Sequence, residues 1–113
     1  MRDPLKYFMY DTSNRIDITV DDAVKVELEE ALNLFFKLSH MKGNYIGFVI
    51  NDTQILQFMS VGVPNSYLLD IPDVDQKGSL QKMTDFEECR SVLVSLCSGS
   101  TLYEIKGVTF KKW

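Results

Sequence analysis

Chemistry needs side chains that titrate, attack or ligate, and this sequence holds few of them at useful spacing. His40 is the only histidine, and Cys89 and Cys97 are the only thiols. A Cys–His nucleophile would require His40 to reach one of those cysteines. Both fall on or near the apolar face of a predicted helix, where a thiol stays protonated and inert. Eight residues apart at ~1.5 Å rise, the two stand ~12 Å from each other, too far for a disulfide. Reduced core thiols suit a cytosolic protein. His40 itself falls near the end of the first predicted helix, where a cationic side chain suits the helix dipole. Asp70, Asp73 and Asp75 form the one close carboxylate cluster. As a calcium loop it fails: Lys77 takes the third ligand place, and Thr84 stands where a bidentate Glu belongs. Lys77-Gly78-Ser79 lacks the glycine-rich lead of a phosphate loop, and its Lys precedes its Gly. Asn51-Asp52-Thr53 matches a glycosylation acceptor but, without a secretion signal, reads as a turn. Tyr7, Phe8, Tyr10, Tyr45 and Tyr67 at strand spacing read as core or cross-strand pairs rather than as a ligand pocket. The residues point away from catalysis, from a metal and from a cofactor.

The scaffold that must position these groups is small. The chain has 113 residues, 45% hydrophobic and 25% charged, which suits one globular domain over 1–113. Met1-Arg2-Asp3-Pro4 is followed by alternating residues, not by the apolar stretch of a signal peptide. No apolar run approaches the ~20 residues of a membrane span. A net charge of −4 and the lack of a basic stripe argue against nucleic acid, Lys111-Lys112 being too short to count.

Leu5 to Tyr10 and Arg15 to Val20 read as strands around the turn chemistry of Asp11-Thr12-Ser13-Asn14. In the second, Ile16, Ile18 and Val20 alternate with Asp17 and Thr19, so one face is buried. A helix is expected from about Asp21 to about Met41. Thr19 to Asp22 resembles its capping box, and Gly43 its stop. Val24, Leu28, Ala31, Phe35 and Leu38 recur at steps of four and three and form its apolar stripe, which Leu32 and Phe36 widen. Val26 and Leu34 fall on its polar side. After a hairpin come a strand at Tyr67 to Ile71 and a polar loop from Pro72 to Gly78. A second helix opens on the capping box Thr84-Asp85-Phe86-Glu87 and carries Phe86, Cys89, Val92, Leu93 and Leu96 on its apolar face, with Gly99 just past its end. One or two short strands around Gly107 close the chain. The order β-β-α-β-β-β-α-β predicts an α+β fold, a mainly antiparallel sheet of five to six strands packed with two helices.

The hairpin, "GNYIGFVINDTQILQFMSV" over residues 43–61, poses the functional question. Asn51 and Asp52 tolerate φ > 0 and Thr53 does not, so a two-residue loop at Asn51-Asp52 is expected. That register puts Ile46, Phe48 and Ile50 with Ile55, Gln57 and Met59, and Tyr45, Gly47 and Val49 with Leu56 and Phe58. Gly47 leaves a gap for Leu56 or Phe58. Either face is largely apolar, whereas an antiparallel sheet usually keeps one face wet. Three things can cover the second face: helices split between the two sides, a sheet curled into a partial barrel, or another chain.

The segment "TDFEECRSVLVSLCSGSTLYEIKGVTFKKW", preceded by "YIGFVINDTQILQFMSV" and "YLLDI", resembles in layout the small bacterial immunity proteins of polymorphic toxin systems, over roughly residues 43–113. The likeness rests on element order and acidic balance. It implies a non-enzymatic bacterial domain that binds and blocks a cognate toxin. It carries no functional residue across. The leading expectation is a cytoplasmic, non-catalytic protein-binding domain with a partner that is a protein and basic. Contact candidates are Asp70, Asp73 and Asp75 on the loop, Glu27, Glu29 and Glu30 on the first helix, and Tyr45 and Trp113 as aromatic anchors. The alternatives are a homodimer that buries the second sheet face against its own copy, and a small-molecule site lined by tyrosines.

Overall fold

Alternation governs the first strand. In the computed structural model, which describes residues 5–113, β1 (Leu5–Asp11) turns Leu5, Met9 and Asp11 into the interior while Lys6 and Tyr10 stay exposed. The Met1 to Pro4 start lies outside the described residues. β1 is flanked on one edge by two short strands, β2 (Ile16–Ile18) and β3 (Val24–Val26), with a 3-10 turn at Val20–Asp22 between them.

The first helix is therefore much shorter than its sequence stripe implies. α1 spans Leu28–Phe36, with Glu27 at its N-cap. Val24 and Val26 are β-branched and gain more as strand partners of Tyr7 and Leu5 than as helix residues. The expected helical sides are reversed here: Val26 is buried and Val24 is exposed. The Thr19 hydroxyl does meet the Asp22 carboxylate, at 3.2 Å, but across the 3-10 turn. At the other end Phe36 is 75% exposed. Leu38 is buried two residues past the helix, and Gly43 (φ +94) bends the segment into the next strand.

Five further strands and one helix complete the chain: β4 (Tyr45–Asn51), β5 (Gln54–Ser60), β6 (Tyr67–Asp73), β7 (Gly78–Thr84), α2 (Phe86–Cys97) and β8 (Thr109–Lys112). The sheet runs β2-β1-β4-β5-β6-β7-β8, with β3 beside β2 on β1, and all pairs are antiparallel. The α+β class is as expected, but the strands number eight among the described residues. β3 and β7 are the additions. β7, "GSLQKMT", has weak strand propensity. It is a strand because it lies between β6 and β8 and pairs with both.

α2 starts one residue later than the Thr84 capping box predicts. Asp85 is its N-cap, and the Asp85 carboxylate accepts from the Glu88 backbone N–H at 2.9 Å. The Thr84 hydroxyl instead donates to the Glu88 carboxylate. Asp85→Ala is expected to cost about 1 kcal/mol, read as a lower urea midpoint. An unchanged midpoint would assign the cap elsewhere. Gly99 follows the helix at φ +108, as expected.

Both helices pack on the same sheet face. Phe35 of α1 meets Phe58, Tyr67 and Phe86, and Cys89, Leu93 and Leu96 of α2 join the same core. The two ends of the sheet, β2–β3 and β8, do not pair, so it is open rather than barrel-like. No helix among the described residues is long and apolar enough to cross a membrane.

Candidate functional site

The hairpin register decides what the second, outer face of the sheet presents. The turn is at Asp52-Thr53, one residue later than expected, because Asn51 stays in the ladder opposite Gln54 and the register shifts between Val49 and Asn51. Asn51 holds the turn with its side chain: its Oδ1 accepts from the Thr53 N–H at 3.0 Å, and its Nδ2 donates to Gln54 Oε1 at 2.7 Å. The shift moves β5 by one place against β4. Ile46 and Phe48 share the helix-covered face with Leu56 and Phe58, all four fully buried. Tyr45, Gly47 and Val49 share the outer face with Met59, Gln57 and Ile55. The gap over Gly47 is filled from the other neighbour, β1: a Cβ there would collide with the ring of Phe8.

Three cross-strand rows make up this face. In the first, Tyr10, Tyr45, Met59, Leu68 and Met83 stand opposite one another from β1 to β7. Tyr10 and Tyr45 are stacked at 5.9 Å, and Met83 is 55% exposed. The second row runs Phe8, Gly47, Gln57, Asp70, Gln81 and Thr109. The third holds Lys6, Val49 and Ile55. Neither helix lies over any of them. The half-buried members belong to a layer separate from the core, which gathers only side chains from the opposite face.

The expected contact residues divide into three groups. Tyr45 and Asp70 share the outer face. Trp113 lies at its β8 edge, 65% exposed, its indole N–H donating to Ser79 Oγ at 3.0 Å. Asp73 and Asp75 sit at one end of the sheet. Asp75 is exposed there, and Asp73 accepts from the Gln76 backbone and side-chain amides. Glu27, Glu29 and Glu30 are exposed at the start of α1, in the helical layer. Sequence reasoning missed Met59, Leu68 and Met83 as companions of Tyr45. The period-two pattern of β6 could have given Leu68, whereas Met83 lay hidden in a segment of weak propensity.

Asp70 is the anomaly of the face. Its Oδ2 accepts from Gln81 Nε2 at 3.5 Å, while its Oδ1 is buried and has no hydrogen-bond partner. An orphaned buried acceptor costs on the order of 1–3 kcal/mol.

The groups singled out for chemistry lie elsewhere. His40 is exposed between α1 and β4. Burial pushes the Cys89 thiol up to about 12, against a weaker opposing hydrogen bond with Thr84, so no thiolate forms near neutrality. Among the described residues no three His, Cys, Asp or Glu side chains converge as a metal site requires. A hollow of about 300 Å³ lies between α2 and the 100–106 segment, but its Lys82 is already engaged by Glu88 and by the Lys106 carbonyl. A second, of about 710 Å³, lies at the hairpin end of the sheet and is rimmed by Asp52, Asp73 and Asp75, with no histidine.

No protein-family model, no curated protein and no solved structure matches this chain.

Proposed function

We propose that the chain is a non-catalytic protein-binding domain that takes another polypeptide on its outer sheet face. The observation that supports this is the row Tyr10–Tyr45–Met59–Leu68–Met83. The free face of an antiparallel sheet normally carries polar side chains. Here two tyrosines, two methionines and a leucine run unbroken across five strands, an apolar patch of the kind that marks docking sites on soluble proteins. The resemblance in layout of residues 43–113 to immunity proteins supports one specific version, an inhibitor that blocks a cognate toxin and competes with any other occupant of the face. In that version Asp73 and Asp75 at the sheet end would steer a basic partner, Glu27, Glu29 and Glu30 lying in the helical layer away from the face, and association would weaken with salt.

The test uses three immobilised baits: the wild type, Leu68→Asp on the outer face, and Phe36→Ser on the exposed side of α1. The reading expects a partner from the native cell that the wild type and Phe36→Ser retain and Leu68→Asp loses. Retention indifferent to Leu68→Asp would place docking elsewhere and overturn the reading.

A further inference from the structure

Resting on the outer face as a docking surface, we infer that its occupant is a second copy of this chain, stacked face to face about a two-fold axis that brings Lys6 of each copy to Asp70 of the other. The chain carries −4 overall, yet its outer face does not share that excess. Strand parity places Lys6, Lys25 and Lys111 on this face against Asp17 and Asp70. Such a face gives a basic partner no advantage and does not repel its own copy.

Two local conflicts on the face then cancel each other. Lys6 and Lys25 are directly opposite across β1 and β3, a like-charge pair that destabilises a sheet. Neither is in an ion pair among the described residues. Asp70 has a complementary need: its half-buried carboxylate is held by one 3.5 Å hydrogen bond from Gln81, and because its Oδ1 is closed to solvent in the single copy, the side chain must turn outward for a lysine of the second copy to reach it. In an isologous contact, residue i meets j of the copy and j meets i, so one lysine–aspartate contact is made twice.

The strand order fits this symmetry. In the run β1-β4-β5-β6, the midline lies between β4 and β5. An axis along that midline, in the plane of contact, sets β4 over β5 of the second copy and β1 over β6. Tyr45 then packs on Met59 of the second copy and Tyr10 on its Leu68, pairing an aromatic half with a thioether and aliphatic half. Val49 meets Ile55 in the next row. Lys6 stands one row, ~7 Å, from the Asp70 level and ~10 Å across the stack, so the two charges meet with both side chains extended towards each other. Sheets stacked this way interdigitate at ~10 Å separation. Four strands at ~4.8 Å and five residues at ~3.4 Å give an overlapping patch of roughly 330 Å² in projection on each copy. That is smaller than the interface of a stable specific complex, so a weak dimer in exchange with the monomer is expected.

Sedimentation velocity of the full chain from about 1 to 500 μM tests this. The expected result is a shift from the 13.0 kDa monomer towards twice that mass. Asp70→Lys should weaken the dimer at least tenfold, Leu68→Asp should abolish it, and Phe36→Ser should leave it unchanged. Lys6→Asp combined with Asp70→Lys should recover most of the loss seen in Asp70→Lys, which a merely misfolded variant could not do. A wild type that stays monomeric throughout, or an Asp70→Lys dimer as tight as wild type, overturns the inference. A monomer whose capture of a different protein is still lost in Leu68→Asp would remove the second copy and leave the docking face standing. A monomer whose partner ignores Leu68→Asp would remove both.

Discussion

Phe35→Ala is expected to cost about 3–5 kcal/mol, while Phe36→Ala one position later changes stability by less than about 0.5 kcal/mol. Phe35 is fully buried. Its ring meets Phe58 of β5 at 5.0 Å, Tyr67 of β6 at 4.8 Å and Phe86 of α2 at 4.9 Å, so one side chain joins both helices to the centre of the sheet. α1 has nine residues, too few to be helical alone, and it stands only because it buries this face. Phe36 touches Phe86 edge-on from outside and remains mostly in water. With a typical urea slope of about 1–3 kcal/mol/M, Phe35→Ala should lower the midpoint by about 2 M. Equal midpoints for the two variants would contradict the placement of α1.

The contrast between these neighbours shows where sequence reasoning holds and where it stops. The spacing of Leu28, Ala31 and Phe35 identifies the buried face of α1, because residues three and four apart share a side of any helix. It does not say where the helix begins. Val24 fits the same spacing, and only the free edge of β1, far away in sequence order from a helix-period argument, claims it for a strand. Likewise α2 is legible from its cap and Gly99, because those signals are local. β7 is not, because its pairing with β6 and β8 is tertiary.

The candidate site shows the same division. That the hairpin is apolar on both sides is plain from residues 45–59 in any register. Which side chains share a face depends on one residue of slip, set by the Asn51 side chain and the shift between Val49 and Asn51. Nor could the sequence say that both helices choose one side. The choice leaves Tyr45 and Asp70 on the open face and carries Glu27, Glu29 and Glu30 away from it. Of the eight expected contact residues, those picked for negative charge alone scatter. Tyr45 and Asp70 come together because strand parity and the cross-strand pairing of β4, β5 and β6 place them.

Asp11→Asn is expected to cost about 3 kcal/mol near neutral pH and to remove part of the protein's acid sensitivity. Asp11 is fully buried, and its carboxylate accepts from the backbone N–H groups of Ser13, Asn14 and Ser39 and from the side-chain amides of Asn14 and Asn44. An asparagine there would turn its own NH₂ towards donors. Burial alone would raise the Asp11 carboxyl, but the hydrogen bonds from Ser39, Asn14 and Ser13 together outweigh it and hold the group below the usual carboxylate value. A carboxyl whose folded-state value is lowered adds stability that is fully present above the unfolded value, near pH 4, and is lost as pH falls through the folded one. The wild type should therefore lose stability below about pH 4 more steeply than Asp11→Asn, measured as urea midpoints at pH 7 and pH 3; parallel profiles would contradict this. The effect reaches the docking face. Asp11 follows Tyr10, and Asn44 precedes Tyr45. The Asp11–Asn44 hydrogen bond at 3.1 Å pins together the two strand ends whose tyrosines stack on the outer side. Asp11→Asn should accordingly loosen the Tyr10–Tyr45 stack and weaken docking on that face even at concentrations where the chain remains folded.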